Sequence, residues 1–360
     1  MKRTESESGY VLVTLAALLV VLLGFTALAV DVGMMYGART QSQAAADAAA
    51  LAGAFTFISN PLAPQPATAQ NHATKAAIAN KVMGGAVAAG EVTVNVDTGN
   101  KRVTVTINRT EPTFFANVLN IASADVRGHA IAEASPNATN ATCVKPWFIP
   151  NTMVAPTAPC TACANGQVLI SGGQATAFAQ SQFGLQFVVK PQNPSGAISP
   201  SQFYAIEMGG PGASDYRDAI SECSLDGNLF CFNSYSVKTG NMVGPTKQGV
   251  ENLIGNPPED SYFGIGLYGP NSSAARDTSR ALVVAPIVDL CSYPGFCPSN
   301  KLPSGTNVSL QVVGFALIFI EGVDSNGVIA RLINVFSCGG GTAIEGATAF
   351  SIPIRLVRQP

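Results

Sequence analysis

A stretch of 22 residues, Gly9 to Val30, carries no charged side chain, and it constrains this chain more than any other feature. As an α-helix it would reach about 33 Å, enough to cross a hydrocarbon core of about 30 Å. Thr14 and Thr26 place hydroxyls inside it without adding charge. The leader ahead of it holds Lys2 and Arg3 against Glu5 and Glu7. Basic residues dominate the orientation rule, so the expected arrangement is N-terminus inside, C-terminus outside. Val312 to Ile320 is also strongly apolar, but it is far too short to span, and its β-branched content suits a buried strand.

Three fates of the apolar segment follow from its flanks. The run exceeds the 7–15 residues usual for a signal-peptide core, and nothing breaks the helix, so an uncleaved anchor is expected. Ala27-Leu28-Ala29 nevertheless fits a signal-peptidase site, and cleavage there would release a secreted or surface binding module. Prepilin-type processing after Gly9 would make Tyr10 the first mature residue, but Thr14 stands where that chemistry usually has glutamate.

Composition agrees with a body outside the cytoplasm. Charged residues make up 12% of the chain, against about 25% in ordinary soluble proteins. With 35 glycines and 23 prolines, many turns and a strand-rich body are expected. A net charge of -2 excludes a general nucleic-acid binder, so no nucleic-acid partner is expected.

From Asp31 to Phe57 no proline appears and alanine dominates. One continuous helix is therefore expected from about Gly9 to Phe57, roughly 70 Å long, within a transmembrane and juxtamembrane segment 1–57 whose membrane span is at about 9–30. Gly33, Gly37, Ala45, Ala49 and Gly53 form a small-residue stripe along it, the pattern that lets helices approach closely. The stripe suits packing against a partner membrane protein, or against this chain's own body.

At these residues the chain resembles a family. Ala29-Val30-Asp31-Val32-Gly33, then Tyr36, Arg39 and Gln43, then Ala45 through Ala54, look like the N-terminal signature of TadG-like (TadE/TadG-like) Flp pilus-assembly proteins. Ser42 departs from the pattern, which usually has leucine there. The resemblance implies a single-pass bacterial inner-membrane anchor, an extracytoplasmic body, and pilus or envelope protein partners reached through the helix. Cys143 to Trp147 and Gly240 to Thr246 are similar to segments of some longer TadG-like proteins. Some members carry an Asp-x-Ser-x-Ser metal motif; this chain has none, so no metal site is carried over.

Beyond the helix, residues 60–135 read as a small α+β unit. It holds a helix over about Thr68–Ala89, ended by Gly84-Gly85 or Gly90, a hairpin of Glu91–Val96 with Arg102–Ile107, a short helix over Thr113–Ile121 and a strand at Val126–Ala132. Residues 136–360 read as a mainly antiparallel β domain with Gly/Pro-rich loops. Strands are expected at Leu185–Lys190, Phe203–Met208, Ala281–Val288 and Ala349–Val357. A long hairpin should join Val308–Ile320 to Val328–Phe336 through Asp324-Ser325-Asn326-Gly327. Gly244 to Ile254 should be helical, stopped by Gly255-Asn256-Pro257-Pro258. The fold class is thus α+β, led by a transmembrane helix.

All eight cysteines lie here: Cys143, Cys160, Cys163, Cys223, Cys231, Cys291, Cys297 and Cys338. An exported domain would oxidise them to disulfides. Short separations favour Cys223–Cys231 and Cys291–Cys297, among the 105 pairings that eight cysteines allow. Cys160-Thr-Ala-Cys163 invites a redox or zinc reading, but Pro159 ahead and Asn165-Gly166 behind point to a loop, and structural disulfides are preferred. Gly264-Ile-Gly-Leu-Tyr-Gly269 matches a dinucleotide pattern, yet Pro270-Asn271 follows where a helix would have to start. There is no P-loop, no G-x-S-x-G, and only His72 and His129 to serve acid–base chemistry. Tyr216-Arg217-Asp218 and Glu259-Asp260 read as solvated loop charges. No catalytic, cofactor-binding or metal-ligating residue is assigned, and a non-enzymatic structural or assembly role is expected.

Overall fold

The computed structural model describes residues 8–59, 66–134, 137–153, 160–193, 202–223, 227–262, 279–299, 301–303, 308–339 and 354–357. The chain is α+β, with a long apolar N-terminal helix and mostly antiparallel sheets. It divides into two compact units. The first gathers Met1–Ala54, Pro66–Glu133 and Leu356–Pro360; the second gathers Phe55–Gln65 and Ala134–Arg355.

In the first unit, α1 (Ser8–Ser59) runs unbroken for 52 residues, of which Phe55 to Ser59 fall in the second unit. No proline interrupts its hydrogen-bond ladder, and alanine carries its distal half. Pro66 opens α2 (Pro66–Ile78), a position where its missing N–H costs nothing. This helix stops well short of the expected Ala89. Lys81–Val82 pairs with Gly85–Ala86 around Met83 and Gly84, both at positive φ (48° and 82°), a backbone shape that no helix continues.

The hairpin forms as expected, from β1 (Val92–Asp97) and β2 (Arg102–Pro112). Its turn is tied by Asp97, whose carboxylate accepts the Asn100 N–H at 3.0 Å and the Asn100 side-chain amide at 2.7 Å. Alternation along β2 buries Val103, Val105 and Ile107. β2 pairs along its whole length with β3 (Ser123–Ala134), and the terminal strand Ile354–Leu356 lies at the outer edge of the sheet. The expected helix over Thr113–Ile121 is instead a loop holding one 3-10 turn, Ala116–Leu119. Two aromatics and three β-branched residues in this stretch are weak helix formers, and Asn120 ends the turn at φ 63°.

In the second unit the principal sheet contains β4 (Gln186–Pro191), β5 (Gln202–Ile206), β6 (Ser234–Thr239), β7 (Leu282–Val288), β8 (Ser309–Val323) and β9 (Gly327–Cys338). The strand order is β4-β9-β8-β6-β5, with β7 also on β8. The β8–β9 hairpin matches the expected one, and its turn is an Asp324 turn: Oδ1 accepts the N–H of Asn326 (2.7 Å) and of Gly327 (3.1 Å). Every residue of β7 is buried, which explains its unbroken apolar run. Ala213–Ser221 forms helix α3 where a solvated loop is expected, and Val243–Ile254 forms α4. Tyr216, expected in solvent, is fully buried on α3, and its hydroxyl accepts the Trp147 indole N–H at 2.8 Å. Burial pushes the Tyr216 phenol well up from its ordinary range.

Candidate anchoring site

The proximal part of α1 is the one described helix long and apolar enough to cross a membrane, and none of its most apolar window is covered by protein. Further along, the same helix is built into the first unit by short-range contacts. Asp31 is buried, and its carboxylate accepts the backbone N–H groups of Phe114 (2.9 Å), Phe115 (3.0 Å) and Ala116 (2.6 Å). One side chain thus satisfies three donors at the start of the 3-10 turn. Twelve residues on, Gln43 reads a strand edge: its amide donates to the His129 carbonyl at 2.8 Å and accepts the His129 N–H at 3.1 Å. The same amide group also donates to Asp47 at 2.8 Å.

Between these two clamps the backbones nearly touch. A Cβ on Gly128 of β3 would lie 2.2 Å from the Ser42 carbonyl oxygen, so only glycine admits this approach. At Gly53 a Cβ would meet Val103 at 2.8 Å, Ala73 at 3.1 Å and the Ala69 carbonyl at 3.2 Å. Of the small-residue stripe, Ala45, Ala49 and Gly53 are buried in this unit. Gly37 is half-buried, and a Cβ there would lie 3.8 Å from the Met83 sulfur; Gly33 is exposed, with nothing within 4 Å of where a Cβ would be.

Ser42 itself is fully buried, and its hydroxyl has no hydrogen-bond partner among the described residues. An orphaned buried hydroxyl costs about 1–3 kcal/mol, so Ser42→Ala is expected to raise stability by roughly 1 kcal/mol. Urea unfolding of the detergent-solubilised chain, read as a midpoint shift at constant slope, checks this.

An open groove of about 690 Å³ runs beside α1, lined by Tyr36, Arg39, Asp125, Arg127 and His129 among others. His129 Nδ1 lies 3.0 Å from Thr106 Oγ1, its cross-strand partner, an arrangement that ties the sheet.

The cysteines, all in the second unit, pair as Cys143–Cys223, Cys160–Cys297, Cys163–Cys291 and Cys231–Cys338. The expected local loops Cys223–Cys231 and Cys291–Cys297 do not form; the observed bonds join residues 80 to 137 positions apart. Cys160 precedes and Cys163 lies within a helical turn, Thr161–Ala164, where a loop is expected. Each is bonded to a different distant partner, so the pair is not a C-x-x-C disulfide. The sulfurs of Cys160, Cys163 and Cys297 lie within 4.8 Å of one another, a metal-like cluster, but disulfide sulfurs lack the thiolate that a metal needs.

Two buried lysines escaped notice in the sequence because nothing around them signals burial. Lys145 Nζ donates to the Glu222 carbonyl at 3.0 Å, and Lys190 Nζ donates to the carbonyl of Asn241. Burial lowers both pKa values to about 8, with Arg280 adding to the effect at Lys145 and Glu222 opposing it. The dinucleotide-like Gly264–Gly269 lies outside the described residues.

These contacts define a class: a single apolar helix whose distal half is the structural spine of a small α+β unit. Residues 9–55 match the family described as putative Flp pilus-assembly TadE/G-like, in agreement with the resemblance read from Ala29 to Ala54. No curated protein and no solved structure matches the chain.

Proposed function

We propose that the chain is a non-enzymatic, membrane-anchored component of a bacterial Flp/Tad-type pilus or envelope assembly system. The observation that carries this reading is the match of residues 9–55 to the Tad-type family, a segment that lies within the apolar helix able to span a bilayer. Its place would be the inner membrane, crossed once, with residues 60–135 and 136–360 outside the cytoplasm. Lys2 and Arg3 ahead of the span favour that orientation. Four disulfides favour an oxidising compartment for the body.

The mechanism is associative. The helix holds the protein in the membrane, the clamped first unit fixes what projects from it, and the disulfide-stapled β body presents the partner surface. Within the small-residue stripe, Gly33 is the position open to a helix of a pilus or envelope partner. Deletion of the chain from its host should abolish sheared surface pilin, and the full chain should restore it. A body carrying only a cleavable signal in place of residues 1–30 should not. Normal piliation after deletion would contradict the proposal, and restoration by the released body would favour a secreted binding module.

A further inference from the structure

The apolar span ends at Val30, and Asp31 is the first charged residue beyond it. β3 runs back along α1 from that point. His129 is held by Gln43 and Gly128 lies against Ser42, while Ser123, paired with Pro112, closes the β2–β3 ladder. From His129 to Ser123 a strand covers about 20 Å. From Gln43 to Asp31 the helix covers about 18 Å. The ladder therefore ends level with Asp31, and the connecting residues 113–122 sit at the end of the unit nearest the span. The carboxylate of Asp31 pins them there through Phe114, Phe115 and Ala116.

From Thr113 to Ala124 the connection carries no charge. Phe114 is 66% exposed, Phe115 49%, Val118 86% and Ile121 52%. Four large apolar side chains on one short loop are an unusual exposure for water-facing protein. Leu28, Val30 and Val32, which flank Asp31 on α1, are exposed as well.

We propose that residues 113–122 are a second membrane-contacting element: Phe114, Phe115, Val118 and Ile121 enter the headgroup–acyl boundary of the bilayer that α1 spans. The occupant is lipid because the loop is level with the end of the span and is tied to it through Asp31. Asn117 and Asn120 supply polar groups suited to the headgroup layer. Two contacts, helix and loop, restrict how far the first unit can tilt against the membrane surface. The inference rests on α1 crossing the membrane.

The test uses the full chain in liposomes, with Val118→Trp as reporter. Native Trp147 is fully buried in the other unit and supplies a constant background, subtracted with the parent chain. Flotation of the liposomes reports anchoring by α1 separately. Bromines placed high on the acyl chains should remove at least about half of the added emission, with less loss for deep bromines. If the chain floats but aqueous iodide quenches the new tryptophan and bromolipid does not, the loop lies in water and the proposal fails. Protection from both quenchers means that protein covers the loop, and the proposal fails equally. A chain that does not float overturns the membrane reading of α1 itself. Phe114→Trp gives the same readout should Val118→Trp not fold.

Discussion

Gly128→Val is expected to separate the membrane helix from its α+β unit. The new Cβ would lie 2.2 Å from the Ser42 carbonyl oxygen, 2.5 Å from its carbon and 2.9 Å from the Gln43 nitrogen. All three are backbone atoms, so no side-chain rotation relieves the clash and helix and strand must part. Both bonds between Gln43 and His129 then stretch or break. Overpacking of this kind costs about 1–3 kcal/mol, and each lost hydrogen bond adds about 1 kcal/mol. The sum, roughly 3–5 kcal/mol, is a large part of the stability of a domain. Limited trypsinolysis in detergent should show early cleavage at Lys101 and Arg102 in the hairpin, at least tenfold faster than in the parent chain. Gly33→Ala is the matched control, because a Cβ there meets nothing within 4 Å, and its cleavage rate should be unchanged.

Replacing Cys231 and Cys338 together by alanine is the second large effect. Cys338 is the buried last residue of β9, and its bond to Cys231 closes a separation of 107 residues. Loops of that length give about 3–5 kcal/mol through the restricted unfolded chain. The bond also fixes Cys231 where its N–H donates to the Thr139 carbonyl at 2.9 Å. The double variant should lose that much in guanidinium unfolding of the second unit, while the cleavage rate of the first unit stays at its parent value. An unchanged unfolding midpoint would show that the packed β8–β9 hairpin holds this end of the sheet without the bond.

Local pattern made much of this fold legible. The uncharged run, the proline-free alanine stretch, the Asp97 and Asp324 turns and the continuous apolar strand at Leu282–Val288 each carry their signal within a few residues. What escaped depends on distant partners. Cysteine pairing is decided by which strands and loops meet, so nearness in sequence pointed to two bonds that do not form. Tyr216 sits among charges and near glycines, a loop-like setting, yet Trp147 supplies the partner that buries it. Thr113–Ile121 has the length of a helix, but its backbone donors are taken by Asp31, which lies more than 80 residues earlier.

The candidate site shows the same division. Asp31, Gln43 and the alanines were visible as the wording of a family signature, while their work was not. The structure makes Asp31 a cap for three backbone N–H groups and Gln43 a clip on a strand edge. It also gives a reason for leucine at the position of Ser42, since the site is buried and offers the hydroxyl nothing to bond. Gly128 carries no sequence signal at all, because its requirement comes from a helix whose contacting residues, Ser42 and Gln43, lie more than 80 positions earlier.

The most direct test of the account is the intact mass of the chain extracted from the membrane fraction without reduction. An anchored, exported protein should retain Gly9 to Val30 and weigh eight hydrogens less than its fully reduced form, two for each of the four disulfides. A chain that begins at Val30, or one whose eight cysteines are all free thiols, would contradict it.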